Sequence, residues 1–233
     1  MGAIFGHDYE AFPFTAFSFS HWIMIVILMV VPYIIYYYRG FFRMYDKVIR
    51  ISTFIVLFSL EGMYHFWLLK DGYWDISYTL PLHLCSISLI LCLILLAGRA
   101  QIVFQLVYFL GITGATMAII TPELFLGFPH FRYFQFFITH ILIVLICCYF
   151  LFIHKYRPTG KGFIYSFLFL NFCAGLAFIA NKLLGGNYMF LADRPTNGTL
   201  LDYFGPFPYY ILSLEVAALF IFSLLLLPFI LKK

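Results

Sequence analysis

Seven apolar stretches, each long enough to cross a hydrocarbon core, leave this chain almost no sequence from which to build anything else. A bilayer core of about 30 Å needs roughly 20 apolar residues in a helix. Such runs are read at about 18–38, 48–69, 79–97, 100–121, 133–153, 163–184 and 207–231. Backbone polar groups in hydrocarbon must find partners within their own segment, so helices are the form these runs take. The expectation is an all-α polytopic membrane protein, a seven-transmembrane-helix bundle forming one domain over residues 1–233. Composition agrees: 64% of the 233 residues are hydrophobic and 10% charged, with a mean hydropathy of +0.98. Soluble domains carry about 25% charged residues.

Charge placement gives an expected orientation. Of the fourteen Lys and Arg, only Lys70, Arg132, Lys182 and Arg194 fall in the loops on one side, and the rest fall on the other. The positive-inside rule puts the richer side in the cytoplasm, hence the amino terminus outside and the carboxyl terminus inside, in a cell membrane. The net charge of +4 is accounted for by this asymmetry and is no sign of nucleic acid. The first span has Asp8 and Glu10 before it and no small-residue cleavage pattern after it, so it is read as a retained helix. All five cysteines lie inside spans, without the paired spacing of a disulfide framework or a metal site, and no cofactor is expected.

Polar residues inside the spans are few and are candidate functional groups. Glu61 and His65 sit four apart on one face of the second span. Cys85 opens the third span within Pro81-Leu82-His83-Leu84-Cys85-Ser86, His140 lies in the fifth, and Glu215 lies about two turns into the seventh. Pro81 is read in the first turn of the third helix, so His83 and Cys85 are separated by about 200° of rotation and point to nearly opposite faces, which makes His83 a poor base for Cys85. Gly111, Gly114, Ala115 and Ala118 on the fourth span read as a packing surface.

At about 1.5 Å of rise per residue, these groups share one layer. Counted from the outer end of each span, Asn181 lies ~5 Å deep, His65 ~7 Å, Cys85 ~8 Å, His140 ~11 Å, Glu215 ~12 Å and Glu61 ~13 Å. A cysteine becomes a nucleophile beside a base, and a histidine held by a carboxylate is the usual base. Cys85 is therefore the candidate nucleophile, His140 the first-choice base and His65 the second, with Glu61 or Glu215 orienting and His83 or Asn181 stabilising an oxyanion. The long outer loop over 185–206 is a candidate lid, and Lys182, Asn187 and Arg194 beside it are candidate contacts for a lipid headgroup. Asn197-Gly198-Thr199 matches a glycosylation sequon by chance spacing.

Three motifs together carry a resemblance. Pro81-Leu82-His83-Leu84-Cys85, His140 after an aromatic run, and the segment from Gly186-Asn187-Tyr188-Met189-Phe190-Leu191 to Gly205-Pro206-Phe207-Pro208-Tyr209-Tyr210 before Glu215 resemble the YwaF-type bacterial integral membrane proteins. That group is in turn similar to an animal multipass family implicated in phospholipid acyl transfer through a membrane-embedded cysteine. The resemblance implies a cysteine-dependent acyltransferase or lipid hydrolase with Cys85 carrying an acyl thioester and membrane lipids as substrate. Two other readings compete: a proton-linked transporter or channel using Glu61, His65, His140 and Glu215, and a receptor or assembly factor built on the long loop.

Overall fold

The computed structural model describes residues 2–194, 205–206 and 208–231. The sequon, part of the 185–206 loop and the terminal Lys232 and Lys233 lie outside the described residues. Seven long helices form the molecule: α1 Phe19–Tyr37, α2 Asp46–Lys70, α3 Leu84–Gly98, α4 Gln101–Ile120, α5 Phe131–Phe152, α6 Gly160–Leu184 and α7 Tyr209–Ile230. Short helical turns at Gly2–Phe5, Arg39–Met44 and Tyr188–Phe190 complete the described secondary structure, apart from an isolated bridge between Pro13 and Leu126. Six of the seven long helices have the length and hydropathy of membrane spans. The seventh, α3, has 15 residues, about 22 Å at 1.5 Å per residue, short of a full crossing.

The difference from expectation at α3 has a local cause. Residues 79–83 are not helical, with a turn at Pro81 and Leu82, and the helix begins only at Leu84, with His83 in extended conformation at its N-cap. Pro81 thus precedes the helix instead of occupying its first turn. The 200° argument does not apply across a residue that is not helical, and His83 and Cys85 line one cavity.

α5 runs through the centre, with buried side chains from Phe131 to Phe150, and packs against α1, α2, α3 and α4, while α6 and α7 pack on each other and on α4. The outer helices present large apolar side chains outward, among them Met29, Phe66, Leu183 and Phe220. This inversion of soluble-protein surface chemistry suits a lipid environment. Between apolar helices in lipid, burial of apolar area supplies little; close packing and interhelical hydrogen bonds hold the bundle. α4 supplies the packing as expected. A Cβ on Gly111 would lie 2.9 Å from Ile143 Cγ2 of α5, and one on Gly114 3.1 Å from Leu84 Cδ2 of α3.

Side-chain hydrogen bonds to facing backbones tie the helices. The buried His21 bonds the carbonyl of Ile119 through Nε2 at 2.7 Å, joining α1 to α4. Tyr133 donates to Ser20 O at 2.7 Å, joining α5 to α1, and Tyr108 to Leu225 O at 3.0 Å, joining α4 to α7. At the face opposite the amino-terminal segment, Asp46 receives Tyr149 at 2.7 Å, His154 at 2.8 Å and Arg50 at 3.1 Å. Gln105 closes the same face by donating to Arg157 O and accepting from Thr159 N–H.

The other face, where α1, α3, α5 and α7 begin, is covered by the amino-terminal segment. Trp67 donates to Phe5 O at 2.7 Å, His130 to Gly6 O at 2.9 Å, and Gly127 N–H to Phe12 O at 2.7 Å. His7 stacks between Trp67 and Tyr73, with centroid distances of 4.1 and 3.9 Å, and meets Asp71 at 3.0 Å.

A cavity that gathers Cys85, His83 and His140

Beneath that cover lies a cavity of about 750 Å³ lined by residues of α2, α3, α4, α5, α6 and α7 and by the 187–191 segment. Glu61, His83, Cys85, His140, Asn187 and Glu215 all line it. The chain end of α3 puts Cys85 two residues past its N-cap. The helical ladder starts with Ile87 N–H to His83 O at 3.0 Å, so the amides of Leu84, Cys85 and Ser86 precede the first intrahelical donor. Gly114 of α4 lets α3 approach here: a Cβ at that position would lie 3.8 Å from Cys85 Sγ.

The two histidines are held in opposite ways. His140 is buried in α5, and its Nδ1 lies 2.7 Å from Phe136 O. A carbonyl only accepts, so Nδ1 carries the proton and the neutral ring keeps its lone pair on Nε2. His83 instead accepts at Nδ1 from Met189 N–H at 3.3 Å, which leaves the proton of the neutral ring on Nε2. One ring offers an acceptor and the other a donor.

The segment that fixes His83 is itself clamped. Asn181 donates to Tyr188 O at 3.0 Å and accepts from Tyr188 N–H at 2.7 Å. The fully buried Tyr188 donates its hydroxyl to Ile76 O at 2.6 Å and accepts from Leu80 N–H at 3.0 Å. Its ring centroid is 5.3 Å from that of His83. Gly186 is required where the two loops cross, because a Cβ there would fall 2.1 Å from Ser77 O. Asn187 is likewise used within the loop, accepting from Ala192 and Asp193 amides at 3.0 Å and donating to Asp193 O at 2.8 Å.

Several expected site residues therefore have other positions. Asn181 does not line the cavity, and both ends of its amide are taken by Tyr188. His65 accepts from Trp74 Nε1 at 3.2 Å and lies 3.6 Å from Glu61, outside the cavity lining. Lys182 sits over the Phe178 ring at 5.7 Å, and Arg194 bonds Gly205 O above Tyr210; neither lines the cavity. Neither carboxylate orients His140, whose ring is set by a backbone carbonyl. Glu61 receives Gln135 Nε2 at 3.4 Å, and Gln135 receives Arg132. Glu215 receives Asn171 of α6 at 3.1 Å.

Arg132 and Gln135 are cavity residues that the linear reading passed over. Arg132 lies over the rings of Tyr64 and Phe136, at 4.3 and 5.5 Å. Its position one residue into α5 made it look like a loop cation. The Thr113 and Thr139 hydroxyls also face the cavity wall, buried and with no hydrogen-bond partner among the described residues. Buried hydroxyls of that kind are available to a ligand. Among the described residues no three His, Cys, Asp or Glu side chains gather to hold a metal ion.

Comparison with known proteins gives the chain its family. The model of the TMEM164 family matches residues 16–226. An uncharacterized protein of Treponema pallidum (strain Nichols) is 29% identical over 150 residues, which cover 64% of this chain and 62% of that protein, less than two thirds of its length. No solved structure matches. The chain belongs to the TMEM164 family and is a multi-pass membrane protein.

Proposed function

We propose that this member of the TMEM164 family is a membrane-embedded acyl-transfer protein that takes an acyl group from a lipid ester onto Cys85. The YwaF-type likeness and an amino-terminal face turned outward in a cell membrane are parts of the same proposal. The observation that carries it is one cavity lined by a cysteine at a helix start, an imidazole whose lone pair is on Nε2 and an imidazole whose proton is on Nε2.

In this reading His140 Nε2 takes the proton from Cys85 Sγ. The sulfur attacks the ester carbonyl carbon, and a C–S bond forms as the carbonyl π pair moves onto oxygen. That oxyanion is met by the amides at the start of α3 and by His83 Nε2–H. Collapse breaks the ester C–O bond, and the alkoxide leaves with the proton held by His140, giving a thioester. A second hydroxyl, from a lysolipid or water, then attacks the thioester carbonyl with the same proton transfers. Glu61, Gln135 and Arg132 form the polar end of the cavity, where a lipid headgroup is placed. His65, Asn181, Lys182, Asn187 and Arg194 support the surrounding structure.

Support over transport comes from what lies past the cavity. Toward the opposite face, beyond the lining residues Leu170 and Ile221, the rings of Phe109, Phe163 and Phe222 pack together with centroids 5.2 to 5.9 Å apart. A transported polar solute needs polar partners along its route. The test is reconstitution with a phospholipid labelled in its acyl chain, followed by lipid mass spectrometry. Label moves to an acceptor with the wild-type chain and not with Cys85→Ala; equal transfer by Cys85→Ala refutes the proposal.

A further inference from the structure

Along α6 and α7 the cavity has an apolar lining apart from Glu215. Along α7 it is lined by Leu214, Ala217, Ala218 and Ile221, and from α6 by Leu170 and Ala174. From Leu214 to Ile221 the α7 axis rises about 10 Å. Three of these six residues are alanines, so the helices leave space between them. None of the α7 residues from 211 to 221 is buried, whereas Tyr210 and Phe222 on either side are. α7 is therefore anchored at both ends of the arm and held off the bundle along it.

The last lining residues of the arm, Ile221 and Leu170, are followed by a packed aromatic cluster that does not itself line the cavity. Phe222, 1% exposed, packs against Phe109 at 5.2 Å and Phe163 at 5.9 Å, and those two lie 5.9 Å from each other. Phe109 is the middle residue of the π-helical turn Val107–Gly111. Such a turn re-aims a side chain within an otherwise regular helix, and such turns are frequent at functional sites. The next turn of α7 is pinned by Tyr108 OH to Leu225 O at 3.0 Å. The cluster is thus built from three helices and tied by a hydrogen bond.

We infer that this arm is an acyl-chain slot whose depth, set by Ile221 and Leu170 with the Phe109–Phe163–Phe222 cluster behind them, selects the length of the chain it accepts. The inference rests on the reading of the cavity as an acyl-lipid site and adds to it a chain-length cutoff with named determinants. A straight chain can run along the alanine faces until its terminal methyl meets Ile221 and Leu170, which the buried Phe222 backs. One methylene too many must either displace a packed aromatic or lift the reacting end from Cys85.

The experiment separates the slot from the chemistry. Purified full-length Cys85→Ala protein is titrated with a homologous series of single-chain lysophosphatidylcholines, in competition with a fluorescent fatty acid. Affinity falls about tenfold at the first homologue past the cutoff, the discrimination one methylene can give in a closed apolar pocket. Phe222→Ala moves the cutoff to longer chains, and Ala218→Phe moves it to shorter ones. If Phe222→Ala does not fold, Ala174→Leu on the facing helix gives the shortening arm independently. Binding with no cutoff, or a cutoff that folded variants leave in place, overturns the slot while the acyl-lipid reading stands. No displacement by any homologue overturns the acyl-lipid reading itself.

Discussion

His83 and His140 differ in which ring nitrogen the fold occupies, and the difference makes their roles separable. His140 donates from Nδ1 to Phe136 O, so its replacement by alanine removes the proton acceptor for Cys85. Loss of a general base costs about 10²- to 10⁴-fold. Thioester formation by His140→Ala is expected to recover in part as pH is raised, because hydroxide then supplies the thiolate directly. His83→Ala removes a donor to the oxyanion, a loss of about 10²- to 10³-fold, and raising pH brings no recovery. Rapid-quench measurement of acyl label on the protein across pH checks both. Identical pH profiles for the two variants contradict the assignment. At this scale the sequence named the cavity's Cys85, His140, His83, Glu61 and Glu215, because an ionisable or nucleophilic residue in an apolar run is visible in one dimension. It misjudged the relation of His83 to Cys85, since no Ser, Thr, Asp or Asn marks the N-cap of α3. It also had no means of seeing that Asn181 is used up by Tyr188, a pairing that depends on how a loop folds back.

Among the elements, α4 and the 186–191 segment carry the most consequence for the site. Gly114 faces Leu84 and Cys85, so Gly114→Leu forces α3 away from α4. Overpacking of this kind costs about 1–3 kcal/mol. Thermal unfolding in detergent is expected to show that loss, and Cys85 alkylation by a lipophilic maleimide is expected to change with it. Asn181→Ala leaves the buried N–H of Tyr188 without its partner and its C=O with Leu191 N–H alone, at about 1–3 kcal/mol for a buried group left unsatisfied. It also releases Met189 N–H from His83, so activity is expected to fall with stability. An Asn181→Ala protein with wild-type melting and transfer contradicts the clamp. Six helices could be read from hydropathy to within a few residues, since a run of apolar residues fixes a span whatever its neighbours. The shortened α3 could not, because the apolar residues of 79–83 are not helical, with a turn at Pro81 and Leu82, and hydropathy does not distinguish an apolar turn from an apolar helix. The packing role of Gly111 and Gly114 was legible from the small-residue pattern. The π-helical turn that aims Phe109 carried no sequence mark.

For the whole molecule, the layer of polar residues inferred from helical rise became a shared cavity for Cys85, His140, Glu61 and Glu215, which His83 and Asn187 join, while His65, Asn181, Lys182 and Arg194 fell outside its lining. Depth along a helix can be counted from sequence; rotation about it and distance between helices cannot, and those decide which groups share a space. The same limit hid Arg132 and Gln135. Orientation, proposed from the Lys and Arg distribution, has its own test. Cysteine introduced at Ser77 is expected to react with an impermeant maleimide from outside intact cells, and cysteine at Lys161 only after permeabilisation; the reverse pattern contradicts an outward amino-terminal face. The most direct measurement of the central claim is intact-protein mass spectrometry after incubation with a phospholipid bearing an isotopically labelled acyl chain. The account predicts a labelled acyl adduct on Cys85 that hydroxylamine removes and that Cys85→Ala lacks. Labelled acyl transfer at the wild-type rate with no adduct on Cys85, or with Cys85→Ala, contradicts it.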